Sequence, residues 1–371
     1  MTTDSNPHSP LGPIRLIGDN PTRIWGMTNA ERVRRMADEA AKGGRTLAEG
    51  HCLAVNLAFA FDPLLLRKVV AEPGTVFTRA GVLVVGQMPI DAVAERPVPA
   101  EGLTIIDLAD GKRIYNDQLR KLESPFVSEL TPQTRAAIER QSYFGAYKGV
   151  TDLLTKYLWP ELALVLTRLA ARIGMTPNMV TAIGAAACVA ATFLFAQGYY
   201  WTGMLVGFVF MVLDTVDGKL ARCTITSSKW GNIFDHGIDL IHPPFWWFAW
   251  GIGLSRWGLA LAPATFWTVM AVILAGYILQ RLIEGIFIRQ FGMHIHVWRP
   301  FDTWFRLITA RRNPNMVILF AAMLAGRPDW GIIAVAWWTA LSLLVHLVQL
   351  FQAYGRRARG AAITSWLEQG A

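Results

Sequence analysis

The chain has 371 residues, 53% of them hydrophobic and 17% charged, which excludes a pair of ordinary soluble domains and requires part of the protein to sit in lipid. Lys and Arg outnumber Asp and Glu by 35 to 27, a formal charge of +8; in a membrane protein this excess belongs to loops facing an anionic leaflet, and no basic motif for nucleic acid accompanies it. Three scattered cysteines, Cys52, Cys188 and Cys223, exclude a disulfide framework or cysteine-based zinc site and suit a reducing compartment.

Residues 1–12 read as a flexible tail with Asp4, Pro7 and Pro10, and the first 30 residues contain no apolar core of signal-peptide length, so a cytoplasmic N-terminus without a cleaved leader is expected. Over residues 13–140, strand-like runs (51–59, 81–85, 103–108) alternate with helix-like runs (29–41, 63–70), the pattern of a small cytoplasmic α/β domain. Residues 141–177 form a juxtamembrane segment. Within it, residues 148–173 repeat apolar side chains at helical spacing among Lys148, Lys156, Arg168 and Arg172, as expected of an amphipathic helix in the membrane interface, broken or kinked at Pro160. The basic, aromatic stretch 291–312 suggests a second surface helix.

From residue 178 to 355, apolar stretches recur with short polar gaps. Six predicted spans run over 179–199, 201–216, 233–254, 259–283, 315–326 and 330–351. Of the 14 Lys and Arg from Lys219 onward, twelve fall on one side of this alternation and only Arg256 and Arg327 on the other. The positive-inside rule then places both termini, including the tail 356–371, in the cytoplasm. The expected architecture is an α-helical, multi-pass integral protein of the cytoplasmic (inner) membrane, six transmembrane helices preceded by the amphipathic helix and the α/β domain.

The chemistry concentrates at the second and third spans. Asp214 and Asp217 stand three apart, Asp235 and Asp239 four apart, so each pair lies on one helix face. Four carboxylates at a membrane boundary need a strong positive partner. Oxygen ligands of this kind suit Mg²⁺, Mn²⁺ or Ca²⁺, and Mg²⁺ keeps positions for water and substrate phosphate, so the site asks for a diphosphate. Gly218, Ala221 and Gly231 leave room for a ligand near the backbone, and Arg222 is placed to hold a phosphate oxygen. A lone interfacial Asp marks a helix end; four at these spacings with glycines between them ask for more.

The run D-x2-D-G-x2-A-R-x8-G-x3-D-x3-D, from Asp214 to Asp239, resembles the signature of the CDP-alcohol phosphotransferases at every fixed position. With residue types at 5–10% each, eight fixed positions match by chance at any one start on the order of 10⁻⁹. The likeness extends over residues 141–355, including the lead-in Thr176-Pro177-Asn178. It implies a six-helix membrane fold with a cytoplasm-facing polar cavity, usually a homodimer, in which a CDP-alcohol binds through two divalent ions (Mg²⁺ or Mn²⁺), an acceptor alcohol or alcohol phosphate attacks the β-phosphorus, and CMP leaves, giving a phospholipid or related polar lipid. By position, the resemblance implies that Asp214, Asp217, Asp235 and Asp239 are metal ligands, that Asp239 also acts as general base, and that Gly218, Ala221, Arg222 and Gly231 contact the CDP group. Whether the lipid is donor or acceptor stays open. The N-terminal stretches 23–35 and 61–67 are similar to sugar-phosphate nucleotidyltransferases, but the Gly-rich triphosphate loop is missing, so an inactive relative with a structural or docking role is expected.

Two competing classes are weighed. Membrane prenyl transfer also uses aspartate-bound Mg²⁺ and diphosphate, but its motifs lack the G-x2-A-R and the Gly231 spacing. A transporter places charges along a pathway through its spans, whereas here they gather at one boundary. His294 and His296, two apart, point to different faces on a helix and are not expected to bind metal. Arg281, Glu284 and Arg289, like Arg311, Arg312 and Asn313, either line an acceptor cavity or anchor cytoplasmic helix ends. Trp246, Trp247, Trp337 and Trp338 read as core or belt residues.

Overall fold

The computed structural model describes residues 10–42, 44–98, 101–110, 113–116 and 119–368; the side chains of Asp110, Lys229, Asn232 and Asp235 fall outside that description. Most of the expected tail, residues 1–9, also lies outside it.

The N-terminal part alternates strands and helices. Strands β1 (Ile14–Ile17), β2 (Arg23–Ile24) and β3 (Met27–Thr28) precede helix α1 (Asn29–Ala41). Then come β4 (His51–Asn56), β5 (Phe59–Phe61), α2 (Pro63–Ala71), β6 (Thr75–Arg79), β7 (Val82–Pro89) and β8 (Thr104–Asp107). Short strands β9 (Ile114–Asn116), β10 (Lys121–Glu123) and β11 (Val127–Glu129) complete the region. A five-stranded mixed sheet has the order β1-β4-β7-β6-β8, with β1/β4 and β6/β8 parallel and the inner pairs antiparallel. Both helices begin as their sequences dictate: Thr28 caps α1 by accepting from the Glu31 amide, and Asp62 caps α2 ahead of Pro63. Their apolar faces, Val33 and Met36 from α1 and Leu65, Leu66 and Val69 from α2, share one core with Leu53, Val55, Phe77 and Val85 of the sheet. The α/β pattern expected from the sequence is therefore present.

Helices α3 (Arg135–Gly145), α4 (Leu153–Tyr157) and α5 (Pro160–Arg172) lead into the helical part. Of the break or kink expected at Pro160, the structure has the break: two helices lie within 148–173, and Pro160 takes the first position of α5, where its missing N–H costs nothing. α5 is amphipathic: Ala163, Leu164, Thr167 and Ala170 are buried, whereas Leu162, Val165 and Leu169 are exposed.

Six further helices occupy the positions of the six predicted spans: α6 (Pro177–Ala196), α7 (Tyr200–Cys223), α8 (Lys229–Gly253), α9 (Pro263–Phe291), α11 (Arg312–Leu324) and α12 (Pro328–Ala358), with the short α10 (Pro300–Phe305) between α9 and α11. Among the described residues, three of them, α6, α9 and α12, are long and apolar enough to cross a membrane. The chain is a membrane protein, mostly helical with a small α/β region. Helices α7 and α8 carry charged residues, and α11 has only 13 residues. The surface helix expected over 291–312 is instead broken up: Gly292 ends α9 in the left-handed conformation (φ 71°) and Pro300 starts the six-residue α10.

Close approach holds the bundle together. Helix α6 packs along α7 and α8, α9 along α12, and α11 along α12. Tyr200 stacks on Trp250 at 4.1 Å between ring centroids and donates its hydroxyl to the Trp250 carbonyl at 2.6 Å. Trp246 and Trp247 are core residues and Trp337 faces outward. The α/β region docks on the ends of α7 and α8: Arg35 Nη1 donates to the Thr224 carbonyl at 2.9 Å and Lys42 Nζ to the Ser227 carbonyl at 3.2 Å. From the segment after α3, the Tyr147 ring covers the buried Lys219 ammonium of α7, 2.8 Å from the ring centroid.

Candidate active site

Helix α7 ends inside a cavity of about 620 Å³. Asp214 projects into it from α7 and Asp239 from α8, and the two converge on one guanidinium: Arg312, at the start of α11, donates Nη2 to Asp214 Oδ2 and Nη1 to Asp239 Oδ1, each at 2.7 Å. Arg312 also lies 4.8 Å from the Phe210 ring centroid and donates Nε to Asn313 Oδ1 at 2.9 Å. Two carboxylates on different helices thus lie within reach of a single cation, and the oxygen-only donor set fits a hard divalent ion.

Asp217 is placed differently. It is 3% exposed, does not line the cavity, and accepts a hydrogen bond from Thr181 Oγ1 of α6 at 2.5 Å. Asp235 belongs to α8, but its side chain lies outside the described residues. Gly218 and Arg222 line the cavity, whereas Ala221 and Gly231 do not. A Cβ on Gly218 would stand 3.1 Å from Arg222 Nη2, so the glycine lets the arginine fold across its own helix. The space beside Gly231 is taken by protein: a Cβ there would meet Asn178 Oδ1 at 2.8 Å and Ser228 Oγ at 3.0 Å. Its smallness thus serves the seam between α6 and α8. Thr176 caps α6 ahead of Pro177, and Ser228 caps α8 through the Gly231 amide.

A second charged group lines the same cavity. Glu284 of α9 accepts from Arg281 Nη2 at 2.8 Å and from Arg311 Nη2 at 2.6 and 2.7 Å, with His296 Nε2 at 3.3 Å. Arg281, Glu284, Arg311, Arg312 and Asn313 are cavity residues, whereas Arg289 is exposed and does not line it. Asn313 Nδ2 donates to Asp152 Oδ1 at 3.0 Å. Burial opposes ionisation of Asp152, but Arg306 and the hydrogen bonds from Thr155 and Asn313 hold its carboxyl below the usual range. Burial also lowers Arg306, to about 9.

Glu284, His296 and His346 bring three ligand-type atoms within 4.8 Å of one another. His296 lies outside any long helix, in a 3₁₀ turn, so the spacing argument based on an α-helix does not apply to it. Arg281 and Arg311 already neutralise Glu284, so a divalent ion placed there would face two guanidinium groups. Burial pushes the His296 imidazole well below its usual range, against the pull of Glu284, leaving it neutral at pH 7.

Residues 174–341 match the family model for CDP-alcohol phosphatidyltransferase. The helical part carries a CDP-alcohol phosphatidyltransferase domain. It is similar to phosphatidylinositol phosphate synthase of Mycolicibacterium smegmatis, 32% identical over 107 residues, 27% of this chain and 48% of that protein. The counterpart in Mycobacteroides abscessus is 28% identical over 214 residues, 55% of this chain and 88% of that protein. Cholinephosphotransferase 1 of Homo sapiens is 36% identical over 82 residues, 19% of this chain and 20% of that protein. The matched segments cover less than half the length of the Mycolicibacterium and human relatives. Among solved structures, phosphatidylinositol phosphate synthase of Mycobacterium tuberculosis with CDP-DAG bound gives a TM-score of 0.40 at 18% identity, covering 50% of this chain and 92% of that one.

Within the phosphatidyltransferase domain the four aspartates were legible as a motif. Arg312 between two of them was not, because it lies 98 and 73 residues from its partners. Thr181 on Asp217 was equally hidden, 36 residues away.

Proposed function

We propose that this protein transfers a phosphoalcohol group from a CDP-alcohol to the hydroxyl of an acceptor alcohol, releasing CMP, in the synthesis of a phospholipid or related polar lipid. The observation that carries the proposal is the convergence of Asp214 and Asp239 on one cation at the wall of a 620 Å³ cavity, inside a domain that matches this family.

Asp214, Asp217, Asp235 and Asp239 would hold divalent ions, two Mg²⁺ or Mn²⁺ in this reading, and such ions when bound offset the charge of the diphosphate and of the departing CMP. Of the four residues expected on the nucleotide side, Gly218 and Arg222 line the cavity and form it, with Arg222 supplying a planar cation for a phosphate oxygen, whereas Ala221 and Gly231 stand outside the cavity lining. Asp239 accepts the proton of the acceptor hydroxyl, whose oxygen forms a bond to the β-phosphorus as the bond to the CMP oxygen breaks. Its side chain is 44% exposed, open enough to meet an incoming alcohol. Asp217, buried on Thr181, is the more rigid ligand.

The same reading places six crossings in the cytoplasmic membrane, with both termini and the cavity on the cytoplasmic side, and makes the protein a homodimer. The α/β region serves as a docking element without nucleotidyl transfer. The decisive test is CMP release by the purified protein from a panel of CDP-alcohols with lipid and polar acceptors, the product identified by mass. No CMP from any pairing, with the protein folded and Mg²⁺ present, would defeat the proposal.

A further inference from the structure

The turn between α7 and α8 joins the helix of Asp214 and Asp217 to the helix of Asp235 and Asp239, and its backbone has an unfavourable shape. Helix α7 stops at Thr224, and the Thr226 amide reaches back to the Ala221 carbonyl at 2.9 Å, closing the helix end around a left-handed residue. Glycine ordinarily fills that place, because a Cβ is crowded there. Here it is Ile225, with φ at 53°. Of the non-glycine residues with positive φ among those described, Trp25, Ala80, Arg120 and Ile225, it alone is branched at Cβ, the type for which this conformation is a genuine outlier.

Such a backbone persists only where its surroundings over-determine it, and here the surroundings belong to the α/β region. The Ile225 side chain packs against the core that α1 and α2 share with the sheet. With Met36 and Ala40 of α1 it lines a cavity of about 150 Å³ in the seam between the α/β region and the helical part. The flanking carbonyls are taken by the same helix: Thr224 accepts from Arg35, and Ser227 accepts from Lys42 at the end of α1. One apolar peg and two cations thus grip the turn, and cationic side chains suit that end of α7.

The turn has little slack. Only Ile225, Thr226 and Ser227 separate Thr224, which closes α7, from Ser228, which caps α8. A change in their backbone moves one helix against the other, and with it Asp239 against Asp214. Arg222 lines both the seam cavity and the active-site cavity, so the seam lies one side chain from the site.

We propose that Ile225 is a positioning residue: seated against the α/β core, it lets the α/β region hold the turn between α7 and α8 and thereby set the carboxylates of one helix against those of the other. The α/β region then acts as a clamp on the transfer site. The consequence for turnover rests on the transferase reading; the hold on the turn does not.

The test uses the full chain in detergent and two measurements. Glycine takes the left-handed backbone freely, so Ile225→Gly keeps the turn accessible but loses the peg. Ile225→Val keeps a branched apolar side chain, and Arg35→Ala loosens the grip from the α1 side. Hydrogen exchange read by mass spectrometry is expected to quicken over residues 220–232 in Ile225→Gly, by about tenfold for the loss of a partly buried apolar side chain. Arg35→Ala moves the same segment in the same direction, while α9 and α12 exchange as in wild type. In turnover, kcat of Ile225→Gly falls by roughly tenfold to a hundredfold, the order that a small misplacement of reacting groups produces. CMP affinity is kept, since Asp214, Gly218 and Arg222 stay together on α7, and Ile225→Val recovers most of the rate. Unchanged exchange in Ile225→Gly overturns the proposal, as does quickened exchange with kcat unchanged, which makes Ile225 a packing residue only. Faster exchange across the whole chain in Ile225→Gly passes the decision to Arg35→Ala, where an unchanged turn or an unchanged kcat overturns the proposal. A wild type that releases no CMP from any pairing, with the turn loosened in Ile225→Gly, would sink the transferase reading and leave the hold on the turn standing.

Discussion

In the proposed metal reading, Arg312 and a divalent ion compete for the same carboxylates, and this makes Arg312→Ala a sharp test. The arginine side chain is 10% exposed, Asp214 18% and Asp239 44%. Breaking a buried pair by removing one partner costs about 3–5 kcal/mol, but Asp239 is half open to solvent and contributes little of this. The structure therefore supports a loss of roughly 2–4 kcal/mol in the metal-free protein, a fall in midpoint of roughly 5–15 °C for a domain of this size. Thermal unfolding in detergent with a chelator, followed by intrinsic fluorescence, measures it. Adding Mg²⁺ should restore most of the loss in the variant, where a dication reaches Asp214 and Asp239 without displacing a guanidinium, and should stabilise wild type less. An unchanged midpoint in chelator, or equal Mg²⁺ shifts in the two proteins, would refute the reasoning.

Three further outcomes are expected. Asp214→Asn should lose CMP binding and turnover together, whereas Asp239→Asn should keep measurable CMP binding while its rate falls by roughly 10²–10⁴, the usual worth of a general base; near-normal CMP release by Asp239→Asn excludes it as the base. A cysteine introduced at Arg256 should react with impermeant reagent only from outside the cell, and labelling from the cytoplasm contradicts the six-crossing arrangement. The full chain incubated with CTP and sugar or polyol phosphates should release no pyrophosphate, since the triphosphate loop is missing; detectable pyrophosphate would make the α/β region an active nucleotidyltransferase.

How much of this was legible in the sequence depended on the range of the interactions. Helix α1 starts and stops where its caps and periodicity dictate, and strands β4, β7 and β8 fall within a few residues of their apolar runs, because these signals are local. Pro160 left a break and a kink both open, since its ring suits a first helical position as well as a bend, and Trp159 packing into the core settles the break: its indole Nε1 donates to Thr215 Oγ1 at 3.0 Å. The stretch 291–312 had the composition of a surface helix, but Gly292 and Pro300 punctuate it. In the site, residue types at fixed spacing announced the aspartates, whereas Arg120, which lines the same cavity, lies between β9 and β10 in a stretch where no run or motif stood out. Its approach to Glu284 and Arg311 is set by tertiary packing around Gly149, where a Cβ would lie 2.5 Å from the Arg120 carbonyl oxygen, and which no spacing encodes.

The brevity of α11 has a consequence of its own. Thirteen residues make a helix about 20 Å long, about 10 Å less than the hydrocarbon layer, while the neighbouring α12, with 31 residues, is long and apolar enough to cross it. Arg312 is the first residue of the short helix and holds Asp214 and Asp239 at that end. In the six-crossing arrangement proposed above, the bilayer beside α11 would have to thin to meet it. That arrangement would set a dent in the membrane at the place where, in the proposed reaction, a water-loving and a lipid-borne substrate have to meet.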